Sequence, residues 1–332
     1  MLLLKDLTVG QADHVAENII KIFLRESEIL QELPFDNAIS PTGGSTLVYG
    51  YLQEKLPSQA AFRAIGQEYT PSEATLKNLN VILKIFGGSF QVDRVIKSIE
   101  NKMENMDRQV SEKIKAAVQL FHDTMINGDI ASNSLGFDGL DKMLVGTSTE
   151  MNTGSYIDLS TKTNLEANAS EFYEKLKSLT NKTSADAILV NEDMKTKIET
   201  VARVLGYKTE SEEAFGKTVI KIGKVRIMDL KNKVIVTGKD DNAIATETPI
   251  IGIKERTIST SKVTGLTDIF AVKFDINDGF CGVTITGDKA IDYYLPDFTK
   301  PGAVKLGEVE MVAAVALKNS KSAGVLRNIK IV

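Results

Sequence analysis

Few residues of the chain could do chemistry, and most stand in contexts that favour a structural role. GKT at 216–218 matches the end of a phosphate-binding loop, but the pattern requires glycine at position 211, which is Ser211. FDINDG at 274–279 resembles the start of a calcium loop, yet Gly279 comes one position too early. NDG between two apolar runs instead predicts a tight hairpin turn. KDDN at 239–242 is typical of a solvated turn.

The chain has two histidines, one cysteine and no tryptophan. His14 is expected on the polar side of a first helix, and His122 lies beside apolar positions of a longer one, so neither has a nucleophile to serve. Cys281 lies in the apolar run FCGVTITG and is expected to be a buried, inert thiol. One cysteine excludes a disulfide framework and a cysteine-rich zinc site. We therefore predict no catalytic residue, no metal, no cofactor and no enzyme.

The composition is that of an ordinary globular chain. It has 332 residues, of which 42% are hydrophobic and 25% charged, with a net charge of −4. Interspersed charges of both signs argue against a dedicated nucleic-acid binder and allow weak, non-specific contact only. No run of about 18 apolar residues is present, so no membrane span is predicted, and MLLLKDLTVG is too short for a signal peptide. We expect the chain to be made in a cytoplasm.

The N-terminal part combines a helix with an extended excursion. Apolar residues recur at offsets of three and four over residues 10–27, which predicts an amphipathic helix. Prolines and glycines then interrupt residues 33–72. Two strand-like stretches, TLVYGYLQE and QAAFRAIG, face each other across residues 55–58. A two-stranded excursion is marginal alone in water, so it must lie on something, and another subunit is one candidate.

The strongest helical pattern covers residues 92–127. An uninterrupted apolar stripe runs through it, Asp93 is a plausible N-cap and Gly128 a plausible residue just past its end. Such a helix would be roughly 50 Å long. The stripe fits packing on a sheet at least as well as a two-stranded coiled coil, and both interpretations stay open.

The rest of the chain alternates helix and strand and then becomes mostly strand. LGFDGLDKML at 135–144 carries no group that could do chemistry. Asn168 and Glu171 form a capping-box pattern before EFYEKLKSL, ADAILV is a predicted strand, and Asn191 caps a helix that ends at Gly206. The later strand candidates are TVIKIG, VRIMDL, KVIVT, TPIIGIK, DIFAVKFD, FCGVTITG, VEMVAAVAL and VLRNIKI.

This order of elements, with FGGSFQVDRVIKSIENKMENMDRQ leading into the long helix and GFDGLDKML after it, resembles the major capsid proteins of tailed bacteriophages. Their fold is shared with the encapsulins, and the resemblance covers nearly the whole chain. It implies an α+β capsid fold with the following parts: an N-arm at 1–32, an E-loop at 33–75, a P-domain at 76–144 with its spine helix at 92–127, an A-domain at 145–247, and further P-domain strands at 248–332, where a return to the A-domain is left open.

The resemblance also implies a function. Such proteins self-assemble into hexamers and pentamers that form an icosahedral shell around double-stranded DNA, in the host cytoplasm, and become part of the virion. A portal protein is an expected partner. Since the amphipathic helix starts almost at Met1, scaffolding is expected to be a separate protein or unnecessary. A lysine–asparagine crosslink is not expected, because Lys55 has no assignable partner.

Two sets of residues are singled out on this basis. Five residues on or near the E-loop are expected to contact neighbouring subunits: Glu54, Lys55, Arg63, Glu68 and Tyr69. Within GFDGL and the residues after it, Phe137, Leu140 and Leu144 are expected to bury against the sheet. An encapsulin shell with a groove for cargo peptides is the main alternative. An unrecognised enzyme and a monomeric binding protein with a coiled-coil dimer interface are the others.

Overall fold

The computed structural model describes residues 27–38, 47–56, 58–71, 73, 75–93, 102–206, 210–214, 217–238, 244–285, 291–299 and 301–332. Three predictions lie outside these residues: the helix at 10–27, the position of His14 and the turn at 239–242. The first described residue of the long helix is Lys102.

Helices and strands within these residues are as follows. The helices are α1 (Glu28–Glu32), α2 (Lys102–Asn127), α3 (Leu140–Met143), α4 (Lys162–Thr183) and α5 (Glu192–Val204). The strands are β1 (Phe35–Asn37), β2 (Val48–Leu56), β3 (Thr75–Ile82), β4 (Lys84–Asp93), β5 (Glu150–Met151), β6 (Ile157–Asp158), β7 (Ala187–Val190), β8 (Glu210–Ala214), β9 (Lys217–Ile222), β10 (Val225–Asp229), β11 (Asn232–Thr237), β12 (Ile244–Pro249), β13 (Lys254–Ile258), β14 (Ser261–Val272), β15 (Phe280–Thr284), β16 (Ile291–Tyr294), β17 (Val304–Leu317) and β18 (Ala323–Lys330). The expected α+β class is confirmed.

The described strands form two larger sheets and two separate hairpins. One sheet has the order β1-β15-β17-β16, and β4 pairs with β17 along its length. The other has the order β5-β18-β14-β7-β10-β9-β8, with β13 beside β14 and β6 beside β18. We call them the five-stranded and the nine-stranded sheet. The remaining pairs are β2–β3, called the long hairpin, and β11–β12, called the short hairpin.

The long helix α2 packs on one face of the five-stranded sheet, contacting β4 and β17. Its buried stripe includes Ile114, Val118, Phe121 and Met125, at the three- and four-residue spacing expected from the sequence. The predicted start at residue 92 is wrong, because Val92 and Asp93 form the end of β4, opposite Lys305 and Val304 of β17. The sequence FQVDRVI is compatible with a strand as well as with a helix. Pairing with β17 makes its first four residues a strand.

Two other local predictions fail for similar reasons. QAAFRAIG at 59–66 is not a strand; the partner of β2 is β3, and residues 58–71 form an exposed connection without regular structure. Alanine-rich residues ending in Gly66, with φ +83°, have little strand preference, whereas β3 continues the hydrogen-bonded ladder. TPIIGIK is also not one strand, since β12 ends at Pro249 and β13 begins at Lys254.

The NDG segment makes a turn, but not a hairpin. Residues before it belong to β14 of the nine-stranded sheet and residues after it to β15 of the five-stranded sheet. A side chain at Gly279 would collide with the backbone of Asp275, whose carboxylate accepts from the Asn277 N–H at 2.9 Å. The tight turn therefore carries the chain from one sheet to the other.

Helices α4 and α5 cover the nine-stranded sheet and bury a second core. Asn191 caps α5 as predicted, its side chain accepting from the Met194 N–H at 2.8 Å. The predicted capping box at Asn168 is wrong. The N-cap of α4 is Thr161, seven residues before Asn168, and the helix begins at Lys162. Asn168 lies inside the helix and donates to the Asp158 carbonyl at 2.9 Å. No helix among the described residues is long and apolar enough to cross a membrane.

Candidate assembly surfaces

The connection at the end of the long hairpin, residues 58–71, is exposed throughout, and we call it the hairpin tip. Arg63 donates to the Gln67 carbonyl at 3.2 Å, and its guanidinium lies 5.3 Å from the centre of the Tyr69 ring. This cation–π contact gives the tip a local order of its own. Two fully exposed apolar side chains, Phe62 and Ile65, flank it.

The five residues predicted at subunit interfaces are therefore only partly brought together. Arg63 and Tyr69 are in contact, and Glu68 is exposed between them in sequence. The side chains of Glu54 and Lys55 lie outside what the structure describes, although their backbones belong to β2. Sequence reasoning missed Phe62 and Ile65, because it placed them in the strand-like stretch QAAFRAIG. The available signal was that large apolar residues in an excursion without a core of its own are unusual without a partner.

The root of the long hairpin is fixed to the five-stranded sheet by a polar cluster. Asp36 accepts hydrogen bonds from the Tyr49 hydroxyl and from Lys318 Nζ, the latter at 3.0 Å. Gln53 donates to the Leu317 carbonyl at 3.0 Å. Burial and the neighbouring Asp36 carboxylate raise the pKa of Tyr49 to about 12. Burial acts to raise the pKa of Asp36, but its bonds to Tyr49 and Lys318 outweigh this, and that pKa is lowered.

The segment after the long helix is a packed corner. Phe137, Leu140 and Leu144 are all buried, and the Phe137 ring lies 6.0 Å from that of Phe121 on α2. Thus Phe137 meets the long helix as well as the core around the sheet. The Gly139 N–H donates to the Gly128 carbonyl at 2.8 Å. A side chain at either glycine would collide with backbone atoms, so both positions need glycine.

Six charged residues connect this corner to the nine-stranded sheet, and we call them the ion network: Asp141, Glu150, Lys254, Arg256, Asp268 and Arg327. Arg327 contacts Asp141 at 2.5 Å, Glu150, and Asp268 at 3.5 Å. Arg256 holds Asp268 with two hydrogen bonds, of 2.6 and 2.5 Å. Lys254 Nζ lies 3.0 Å from the Asp141 carboxylate, so three positive and three negative groups balance each other in this partly buried cluster.

Two asparagines extend the ion network along the backbone. Asn328 has φ +61°, accepts from Arg256 at 2.8 Å and donates to the Asn152 carbonyl at 2.9 Å. Asn152, with φ +63°, donates to the Arg327 carbonyl at 2.8 Å. Asparagine tolerates this left-handed conformation better than most residues. The network residues are far apart in sequence, and no sequence pattern pointed to them.

The short hairpin is a second projection with little core of its own. Its base is tied to α2, because Lys233 Nζ lies 2.9 Å from the Asp123 carboxylate and Asn127 donates to the Ile250 carbonyl at 2.8 Å. Beyond the base, Val236 and Ile244 are exposed. Sequence analysis predicted β11 but gave it no special role.

The groups that could do chemistry are buried in structural roles. His122 Nε2 lies 2.7 Å from the Ser27 hydroxyl oxygen, and that oxygen accepts from the Leu30 N–H at 3.0 Å and so caps α1. Burial lowers the pKa of His122 to about 4, and burial raises the pKa of the Cys281 thiol to about 12.

The phosphate-loop pattern at 216–218 is not in a phosphate-binding context. Lys217 and Thr218 begin strand β9, not the helix that a phosphate loop would need. The described residues contain no group of three or more acidic, histidine or cysteine side chains placed to hold a metal.

The chain has the capsid fold that tailed phages and encapsulins share, which confirms the expectation from the sequence. Over most of its length it is similar to three solved structures, at sequence identities that establish the fold alone. The encapsulin complex from Synechococcus elongatus is 12% identical, with a TM-score of 0.56 over 91% of this chain and 87% of that one.

The other two come from particles of different origin. The capsid of a native GTA particle is 11% identical, with a TM-score of 0.54 over 92% of this chain and 90% of that one. A structure from Mycobacterium phage Bobi is 11% identical, with a TM-score of 0.53 over 91% and 90%. No known family model and no curated protein sequence matches the chain.

Proposed function

We propose that the chain is the major capsid protein of a tailed bacteriophage, which self-assembles into hexamers and pentamers that close into an icosahedral shell around double-stranded DNA. One observation carries this proposal. A hairpin anchored at its root by Asp36, Tyr49 and Lys318 ends in a tip with fully exposed Phe62 and Ile65, on a fold shared with shell-forming proteins. Exposing such side chains in a free subunit is unfavourable by about 1.5–3 kcal/mol each, relative to full burial in a contact.

The parts of the fold take the following roles under this proposal. Residues 1–32 are the N-arm and 33–75 the E-loop, whose hairpin continues to Ile82. The five-stranded sheet and α2 form the P-domain. The nine-stranded sheet with α4 and α5 forms the A-domain, to which β13, β14 and β18 return from the 248–332 segment.

Partners and location follow from the same proposal. The chain binds other copies of itself, contacts packaged DNA weakly, meets a portal protein, and with a separate scaffolding protein assembles in the bacterial cytoplasm before becoming the virion capsid. The buried state of His122 and Cys281 supports a structural role over an enzymatic one, because neither side chain can reach a substrate.

An encapsulin-type nanocompartment shell is the second candidate. The similarity to the Synechococcus elongatus encapsulin complex, at a TM-score of 0.56, favours it. The two candidates differ in what the shell encloses, since a phage capsid packages DNA and an encapsulin encloses protein cargo.

The test is negative-stain electron microscopy with size-exclusion light scattering on the purified chain. We expect closed shells or rings of five or six subunits. A chain that stays monomeric or dimeric under varied salt and crowding overturns both candidates. For shells isolated from the native source, nuclease-resistant DNA supports the phage capsid, and an enclosed protein without DNA supports the encapsulin.

A further inference from the structure

His122 is a buried titratable group that joins three elements of the fold. Its side chain is 5% exposed and lies on α2, which packs on the five-stranded sheet. On one side, Nε2 is 2.7 Å from the hydroxyl of Ser27, the N-cap of α1. On the other side, the ring forms a backbone hydrogen bond with Leu230, which follows β10 of the nine-stranded sheet. We call this arrangement the histidine bridge.

The hydrogen bonds of the histidine bridge require a neutral ring. The bond with Leu230 favours the charged form of the ring, so the ring N–H donates there and the Leu230 carbonyl accepts. A neutral imidazole has only one N–H, which leaves Nε2 to accept from the Ser27 O–H. The Ser27 oxygen in turn accepts from the Leu30 N–H at 3.0 Å. Both ring nitrogens and the hydroxyl are therefore paired when His122 is neutral.

A proton on Nε2 disrupts this pattern. The nitrogen becomes a donor that faces the Ser27 oxygen, so the hydroxyl hydrogen loses its acceptor in a site where both side chains are buried. The positive charge is itself unfavourable there, because the ring is out of contact with water. The ring regains water when the first turn of α1 moves away from it.

The charged groups around His122 do not offset this cost. Lys231 is the one that acts on the ring, and its positive charge opposes protonation. The other charged groups on the elements packed against the ring are Glu28 and Glu32 of α1, Asp123 of α2, Arg226 and Asp229 of β10, and Lys233 of β11. Ion pairs join Glu32 to Arg226 and Asp123 to Lys233. The carboxylates therefore do not hold a proton on the ring.

We propose that the histidine bridge is a pH-sensitive latch for α1, which holds this helix on the subunit while His122 is neutral and releases its first turn when the ring gains a proton. Helix α1 is the element that moves, because it has 5 residues, whereas α2 has 26 and β10 lies between β7 and β9 of the nine-stranded sheet. Residues 1–26 are joined to the chain at Ser27, so release also changes the point at which they are attached to the subunit. This inference concerns the single subunit and goes beyond the proposed function.

The pH range of the latch follows from the two pKa values of His122. The pKa is about 4 with the latch closed and about 6.5 with the ring in water, so between these values the open form binds a proton that the closed form does not. The closed latch is therefore fully stable above pH 6.5 and loses stability as the pH falls toward 4. From pH 7 to pH 5, the ratio of open to closed molecules should rise about twentyfold.

Hydrogen exchange measured by mass spectrometry tests the latch in unassembled subunits. A peptide covering residues 27–35 reports on the amides of Leu30 and Leu33, which donate to the Ser27 hydroxyl and the Ile29 carbonyl. After correction for the pH dependence of chemical exchange, this peptide should exchange about twentyfold faster at pH 5 than at pH 7. A peptide from α5, whose N-cap Asn191 does not titrate, is the internal control and should change less than about threefold.

Two variants separate the histidine from the hydroxyl. In His122→Gln the side-chain amide supplies one donor and one acceptor for the two bonds of the ring but does not titrate, so the corrected exchange rate should be the same at pH 7 and pH 5. Ser27→Ala keeps the histidine and removes the cap, so the peptide should exchange about tenfold faster already at pH 7.

Three results would overturn the latch. The first is an equal pH dependence of exchange in His122→Gln and in the unmodified chain. The second is an equal acceleration in the α5 peptide, because the whole subunit would then be opening. The third is unchanged exchange at pH 7 in Ser27→Ala. If His122→Gln does not fold, the other two comparisons still decide. Shell formation enters none of these measurements, so this inference and the proposed function fail or stand separately.

Discussion

In the ion network, six charged side chains balance each other, and Arg327 and Asp268 are largely shielded from water. At the hairpin tip, Arg63 contacts only Gln67 and Tyr69 among the described residues and is exposed. The network links residues of α3, β5, β13, β14 and β18, whereas the contacts of Arg63 stay within the tip. The difference implies that substitutions in the first region should change folding, and substitutions in the second should change assembly.

Asp268→Ala should have the largest effect on folding. The substitution removes the carboxylate that accepts two hydrogen bonds from Arg256 and that also lies near Arg327. Both guanidinium groups then remain in a poorly solvated cluster with less negative charge around them. We expect a loss of about 3–5 kcal/mol in the free energy of unfolding, measured by urea denaturation of unassembled subunits. Glu255→Ala, which breaks an exposed pair with Lys262, is the control and should cost less than about 1 kcal/mol. Equal effects of the two substitutions would contradict a special role for the network.

Acidification should weaken the subunit through His122. The pKa of this residue is about 4 in the folded chain and about 6.5 when unfolded, so between these values the unfolded chain binds a proton that the folded chain does not. Stability is therefore full above pH 6.5 and should fall by about 3 kcal/mol as the pH drops to about 4.

The measurement is urea unfolding at several pH values for the unmodified chain and for His122→Gln. Carboxylates titrate in both proteins, so the difference between the two curves isolates the histidine. Curves that stay parallel from pH 7 to pH 4 would show that His122 does not titrate in this way.

Tyr49→Phe should have an intermediate effect. It removes the hydrogen bond from the hydroxyl to Asp36 at the root of the long hairpin, while Lys318 still pairs with that carboxylate. We expect a loss of about 1.5 kcal/mol in the free energy of unfolding and faster proteolysis within the hairpin. Tyr69→Phe at the exposed tip serves as the control, and a similar loss there would argue against the root cluster as the anchor.

Phe62→Ser together with Ile65→Ser should have the smallest effect on folding and a large effect on assembly. Both side chains are fully exposed in the subunit, so we expect a change of less than about 0.5 kcal/mol in unfolding free energy. Shell yield, measured by light scattering, should fall. Unchanged shells would remove the distinction between the two regions, because the tip would then serve neither folding nor assembly.

The sequence predicted those parts of the fold that depend on local patterns. Asn191 and the apolar stripe of α2 were both found, because capping and helical periodicity act within a few residues. The order of elements was enough to indicate the capsid fold. Strand β4 was missed for two reasons. Gly87 and Gly88 interrupt its alternation of apolar and polar residues, and the ten residues of β17 with which it pairs lie more than two hundred positions away in the sequence.

Of the candidate surfaces, only residues of the hairpin tip could be predicted from the sequence. Arg63 and Tyr69 were selected because a loop without its own core needs partners elsewhere. The ion network could not be predicted, because Asp141, Asp268 and Arg327 meet only after β14 and β18 have paired.

The turn at Gly279 has a consequence for dividing the molecule experimentally. The chain leaves the nine-stranded sheet after β14, builds β15, β16 and β17 into the other sheet, and returns with β18. No single cut can therefore release either sheet as an autonomous fragment. Each sheet contains strands from both sides of the turn, so unfolding of either sheet should pull strands out of the other.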